Sequence, residues 1–259
     1  MAEEPLLYQI DGPVATITLN RPAQLNALTY EMLLDLPCML TRAANEGARV
    51  LLITGAGRAF CSGAALGPDN AAPHRDLGKV MEQYYSPLAR AFAESSIPIV
   101  SAINGPAVGA GAAIAMWADI IVAARSSYLL LAFANIGLVP DCGSSWLIAK
   151  GAGRVKALEM ALLGERLPAE AALAAGLVTR VVDDAELLPA AQALANKLAA
   201  MPTLAMGMIR QQIRAGLDDG LAGALQMEIE HQRRAGNSAD FAEGVAAFNE
   251  KRKPIFQGR

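Results

Sequence analysis

The first apolar pattern along the chain is an alternation. From Tyr8 to Leu19, with Leu7, Ile10, Val14, Ile17 and Leu19 apolar, the positions fall around Asp11-Gly12, which predicts a hairpin of two strands stopped by Asn20-Arg21-Pro22. The period then changes. Met32, Leu33, Leu36, Leu40 and Ala43 recur at helical spacing behind a cap at Thr29, predicting a helix over 29–46 that Pro37 bends. Val50 to Thr54 is a short apolar run closed by Gly55, as expected of a strand buried on both faces.

The same unit recurs. Ile97 to Ile103 and Ile120 to Ala124 read as strands, Gly109 to Ala118 and Ser145 to Leu163 as helices. Pro168 to Gly176 reads as an alanine-rich helix and Val178 to Val182 as a strand. Strands alternating with helices imply parallel crossovers in an α/β protein. After Leu187 the pattern is helical, broken by Pro202 and by Gly216 to Gly223, so a helical extension follows the core. The division expected is a core over residues 1–195 and a C-terminal helical oligomerisation region over 196–259.

Composition narrows the class. A chain of 259 residues that is 53% hydrophobic can build one large core. With 22 basic against 25 acidic residues and no basic block beyond Lys251-Arg252-Lys253, nucleic acid is not the expected partner. Cys38, Cys61 and Cys142 match no zinc spacing, and only His74 and His231 could add imidazole, so no metal is expected. The acidic start lacks the basic and apolar regions of a secretory signal. The apolar stretch from Val100 to Ala124 is interrupted by Asn104, Gly105, Pro106 and Asp119 and does not read as a membrane span. A soluble, cytoplasmic protein is expected.

Two glycine-rich turns carry candidate chemistry. Gly55 to Leu66 follows a buried strand, and Gly105 to Ala113 opens a helix; both present small residues that leave backbone N–H groups approachable. They either converge on one anionic oxygen or simply allow tight turns and close helix–sheet packing. Neither is a phosphate loop or a dinucleotide fingerprint, and Gly-x-Ser-x-Gly is absent.

Taken together, Asn20-Arg21-Pro22 with Asn26-Ala27-Leu28, Gly57 to Ala64, Asn104-Gly105 with Val108 to Gly111, and Glu250 to Pro254 resemble the enoyl-CoA hydratase/isomerase (crotonase) family, from about Leu19 to the C-terminus. The resemblance implies a crotonase-like spiral of repeated ββα units in two roughly perpendicular sheets, then a C-terminal helical trimerisation region giving a homotrimer or dimer of trimers. It also implies an acyl-CoA thioester as substrate and no separate cofactor. By family position the oxyanion hole is the backbone N–H of Ala64 and of Ala110, where alanine replaces the usual glycine and narrows the hole. Coenzyme A would run past Ala27, with its thioester at Ala64, Ala65 and Leu66. Phe248 and Lys251, supplied by a neighbouring subunit, would close the nucleotide site; their other reading is a helix-core aromatic and a solvated charge.

The chain departs from the family's hydratases where chemistry matters. Hydration needs one carboxylate to activate water and another to deliver a proton, yet the corresponding positions hold Ala113 and Phe133. Val139-Pro140-Asp141-Cys142-Gly143 instead resembles the isomerase branch, which shifts a 3-enoyl-CoA double bond or isomerises epoxyphenylacetyl-CoA. Asp141 is the expected acid/base, its pKa raised by apolar Leu138, Val139, Trp146 and Phe133. Local chemistry alone also allows a turn or helix cap there. Cys61 and Cys142 read as packing residues, His74 as a loop residue within 68–76, His231 as solvated and Asp119 as a cap. On a helix over 77–95, Met81, Tyr84, Tyr85 and Phe92 suit either an acyl tunnel or a core stripe. The alternatives to isomerisation are hydratase-type activity at Asp141 alone and a non-catalytic acyl-CoA-binding subunit.

Overall fold

A computed structural model describes residues 4–67 and 76–259. The hairpin forms as β1 (Leu6–Asp11) and β2 (Val14–Leu19), paired antiparallel around Gly12-Pro13 with Gly12 at φ 53°. On β1 Leu6 is buried while Leu7 and Ile10 are exposed; Leu7 lies on the opposite face, and Ile10 shares the face of Leu6 but sits beside the hairpin turn.

β3 (Val50–Gly55), β4 (Ile99–Ile103), β6 (Ile120–Ala124) and β9 (Arg180–Val182) continue the sheet in the order β1-β2-β3-β4-β6-β9, parallel from β2 onward. The unbroken apolar runs sit at its centre because both faces are covered. Leu51, Ile53, Ile99 and Ile103 enter the core that holds α1 (Tyr30–Asn45) through Met32, Leu33 and Leu36. Val50, Leu52, Val100 and Val122 face the other way onto α7 (Leu187–Ala199), whose Leu187, Ala191, Ala195 and Ala199 form a thin stripe. Leucine at Ala195 would overpack that seam by about 1–3 kcal/mol.

Helix α1 starts as expected, with the Thr29 hydroxyl accepting from the Met32 N–H, and carries Pro37 inside it. α2 (Leu77–Val80) runs through a π turn, Met81–Tyr85, into α3 (Ser86–Glu94). A second sheet, β5 (Pro106–Val108), β7 (Tyr128–Leu130) and β8 (Leu167–Pro168), was not visible as strands in the pattern. Two or three residues cannot display a period of two. Between its strands lie α4 (Ala110–Met116) and α5 (Ser144–Leu163), the latter interrupted at Gly153 (φ 80°, ψ 166°), and then α6 (Ala169–Ala174).

The chain ends in α8 (Thr203–Gly216), α9 (Gly220–Gly236) and α10 (Ala239–Glu250). Polar contacts fix these helices to the core. Arg49 donates to the carbonyls of Met201 and Phe256 and to the Thr203 hydroxyl at 2.6–2.9 Å. Asp119 accepts from the Ile99 N–H and pairs with Arg210, joining β4 to α8, a wider role than a local cap. Ile209, Ile213, Leu221, Leu225 and Ile229 on α8 and α9 remain exposed. No helix among the described residues is long and apolar enough to cross a membrane.

Candidate active site

The two glycine turns lie side by side. Cys61 bridges Ala107: its N–H donates to the Pro106 carbonyl and its own carbonyl accepts from Val108. A methyl group added at Gly63 would stand 2.9 Å from the Val108 carbonyl oxygen and 3.8 Å from the Ala110 nitrogen. The residue before Ala64 therefore touches the start of α4. Leu28 pairs with the same turn, donating to the Gly63 carbonyl and accepting from the Ala65 N–H, which leaves the Ala64 N–H directed to the opposite side. Among the described residues no carbonyl accepts the N–H of Ala64 or of Ala110. Ala110 lies outside the positive-φ region, so its methyl is accommodated without strain.

Asn26 braces this arrangement from below. Fully buried at φ 57°, it accepts from the Arg21 N–H and donates to the carbonyls of Ala56, Ala59 and Phe60. Without it the buried Ala59 and Phe60 carbonyls lose a partner. The Cys61 thiol bonds the Asn26 carbonyl, and burial pushes it up to about 12, so both the packing role and the lack of thiolate character expected of Cys61 hold. Cys142 is likewise buried, with its thiol pushed up.

A cavity of about 210 Å³ opens between Leu28, Thr29, Tyr30, Ala64, Ala65 and Tyr85. Tyr85 reaches it from the π turn, a feature that re-aims side chains on a helix and recurs at functional sites. The aromatic stripe thus divides, with Tyr85 at the cavity, Tyr84 against the Tyr30 ring and Phe92 in the core.

Asp141 belongs to a strained loop. Ser144 donates from its N–H and hydroxyl to the Asp141 carbonyl, while Cys142 (φ 49°) and Gly143 (φ 78°) both adopt the left-handed conformation. For a non-glycine residue that conformation costs of order 1–3 kcal/mol. The Asp141 Oδ1 is buried and has no hydrogen-bond partner among the described residues, and desolvation raises the carboxyl to about 7. Burial, and then the Asp141 charge, push the Tyr85 hydroxyl up, which puts the two groups within electrostatic reach. Desolvation is the cause, as expected, but Leu138 and Val139 are exposed and do not supply it.

Comparison with known proteins decides the family. The enoyl-CoA hydratase/isomerase family model matches residues 9–259. The chain belongs to that family, the crotonases. It is 44% identical, over 99% of both chains, to 1,2-epoxyphenylacetyl-CoA isomerase of Escherichia coli, and 41% identical, over 100% of both, to a "Probable enoyl-CoA hydratase" of Rhodobacter capsulatus. An enoyl-CoA hydratase of Bacillus anthracis shares the fold at TM-score 0.92 and 29% identity, covering 99% of this chain and 100% of that one. The chain is therefore an acyl-CoA enzyme with the α/β crotonase fold.

The two positions expected to match the hydratase glutamates are apolar. Ala113 is fully buried, and Phe133 lies with its ring 3.6 Å from where a side chain on Gly109 would begin, against the start of α4. Of the positions expected to follow coenzyme A, Ala27 has its carbonyl held by Arg21, Ala64 and Ala65 line the cavity and Leu66 is exposed. Phe248 lies elsewhere, 84% exposed over an apolar cavity of about 350 Å³ that includes Phe241, Val245 and Phe256. Lys251 caps the same helix at φ 55°. His231 also departs from its reading, since its Nδ1 is buried without a partner among the described residues. His74 lies outside the described residues. Trp117, which the sequence reading passed over, donates its indole N–H to the Cys142 carbonyl at 2.9 Å.

Proposed function

We propose that this crotonase is an enoyl-CoA isomerase that shifts a double bond in an unsaturated acyl-CoA thioester, with Asp141 as acid and base. The observation that carries the reading is the buried Oδ1 of Asp141, unpartnered among the described residues, in a carboxyl whose pKa near 7 suits a group that takes and returns a proton at neutral pH. Asp141 removes the C2 proton of a 3-enoyl-CoA, and the C2–H electrons move into a dienolate. The dienolate oxygen accepts hydrogen bonds from the Ala64 and Ala110 N–H groups, each worth roughly 2.7–4 kcal/mol in such sites. The same carboxyl then delivers the proton to C4, and the double bond settles between C2 and C3. One acid/base residue suffices for such a shift. The E. coli relative adds support for an isomerase and extends the substrate class toward ring-bearing acyl groups.

Ala27, Ala64, Ala65 and Leu66 would follow the coenzyme A moiety. Phe248 and Lys251 would close the nucleotide end from a second subunit. The exposed apolar rows on α8 and α9 support a homotrimer or dimer of trimers. A monomer in sedimentation at micromolar concentration contradicts that assembly.

The test of the reaction is incubation with a 3-enoyl-CoA in deuterated water, following the conjugated thioester and product mass. Conjugation without a hydroxyl group, lost in Asp141→Asn while coenzyme A binding is retained, is the expected result. The R. capsulatus relative keeps hydration in view, and a 3-hydroxyacyl product would establish it instead. Binding without turnover of either aliphatic or aromatic epoxide substrates would leave a non-catalytic acyl-CoA-binding protein.

A further inference from the structure

Cys142 holds a left-handed backbone conformation without being glycine, so something outside the loop must hold it there. The Trp117 indole meets the loop at two points. Its N–H donates to the Cys142 carbonyl at 2.9 Å, and its ring leaves no room beside Gly143, where an added methyl would sit 2.7 Å from Cζ2. The ring is itself fixed from behind. Trp146 stacks on it at 5.9 Å and 16°, and the Trp146 indole N–H donates to Asp218, which also pairs with Lys150. These contacts run from the α8–α9 elbow to the residue after Asp141.

We propose that Trp117 is a positioning residue: by gripping the Cys142 carbonyl it holds the 141–143 loop so that the Asp141 carboxyl stays inside the protein. The proposal rests on Asp141 being the acid/base. The titratable groups coupled to that carboxyl are Tyr85 on the π turn and Cys142 on its own loop, with Tyr30 and Cys61 interacting in turn with Tyr85. Released from Trp117, the loop relaxes toward water and the carboxyl loses the desolvation that raises its pKa.

Trp117→Phe keeps an aromatic ring and removes the N–H. Its kcat for the double-bond shift should fall about 10- to 100-fold with KM within about twofold, since misplacement of a reacting group by an ångström has that scale. The pH midpoint on the acid side of kcat/KM should move down from about 7 toward the ordinary carboxylate range. Trp146→Leu, which removes the ring stacked on Trp117 and leaves the 141–143 backbone untouched, should move kcat and the midpoint in the same directions by smaller amounts and decides the question if Trp117→Phe does not fold. A folded Trp117→Phe protein with wild-type kcat, or with lower kcat and an unmoved midpoint, overturns the proposal. Asp141→Asn assayed alongside separates the two ideas: activity retained there removes the acid/base reading itself, whatever Trp117→Phe does.

Discussion

Asp240 and Asp141 are two carboxylates taken out of water and treated in opposite ways. Asp240, 3% exposed on α10, accepts from the Gln257 N–H at 2.6 Å and the Gly258 N–H at 2.7 Å, while its own N–H donates to the Arg259 carbonyl. Every charge-bearing oxygen has a donor, and the result is a fastened C-terminus. Asp141 has a buried oxygen with no donor among the described residues and a backbone kept in a strained turn. Full hydrogen bonding makes a buried carboxylate a structural tie; withholding it leaves a group whose proton is poised to move.

Substitution should separate the two sites cleanly. Asp141→Asn should lower kcat by about 10³-fold, the scale of a lost general acid–base, with little change in acyl-CoA binding measured by calorimetry. Asp240→Ala should leave the kcat of saturated enzyme within about threefold. It should instead cost about 2–4 kcal/mol in denaturant unfolding, because two charge-assisted bonds are lost and the tail is freed. If Asp240→Ala abolished turnover at saturating substrate while the protein stayed folded, the division between tie and reacting group would fail.

The long elements were legible because their pattern exceeds their period. Val50 to Thr54 and Ile97 to Ile103 read as strands and form β3 and β4, covered on both faces, and the Met32 to Ala43 stripe reads as a helix and forms α1. β5, β7 and β8 were not, being too short to show alternation. At the site, Asp141 could be singled out as a candidate from its own segment, but the source of its burial could not. Adjacent Leu138 and Val139 suggested an apolar shell, whereas Tyr85 and Trp117, distant in sequence, meet the loop only through the fold. Chain neighbours at a loop tip point outward as easily as inward. Asn26 was visible as part of a motif, yet nothing in its sequence surroundings revealed that it would satisfy carbonyls from the turn it faces.

The same contrast predicts a stability cost for the Asp141 carboxylate. Its pKa is raised in the folded protein to about 7, above the ordinary 3.8 of the unfolded chain, so the folded state holds its proton more tightly. Stability from this group is therefore greatest below the unfolded value and declines as pH rises through the window from about 4 to 7. Asp141→Asn, which carries no charge at any pH, should gain relative to wild type as pH rises. The gain should reach roughly 1–3 kcal/mol by pH 8 and vanish near pH 4, read from denaturant midpoints at both pH values.

The smallest effect should come from Ala110→Gly. Ala110 carries its methyl without a positive φ, and its N–H has no acceptor among the described residues. The donor comes from the backbone and survives the substitution, so the expected change in kcat is within about threefold. Glycine at the first position of α4 adds backbone freedom, costing up to about 1 kcal/mol in stability. A loss of kcat comparable to that of Asp141→Asn would mean that the methyl itself shapes the reacting geometry. The turn at Ala110 would then have to be regarded, like the Asp141 loop, as held by side-chain packing rather than by the hydrogen bonds of its own strands.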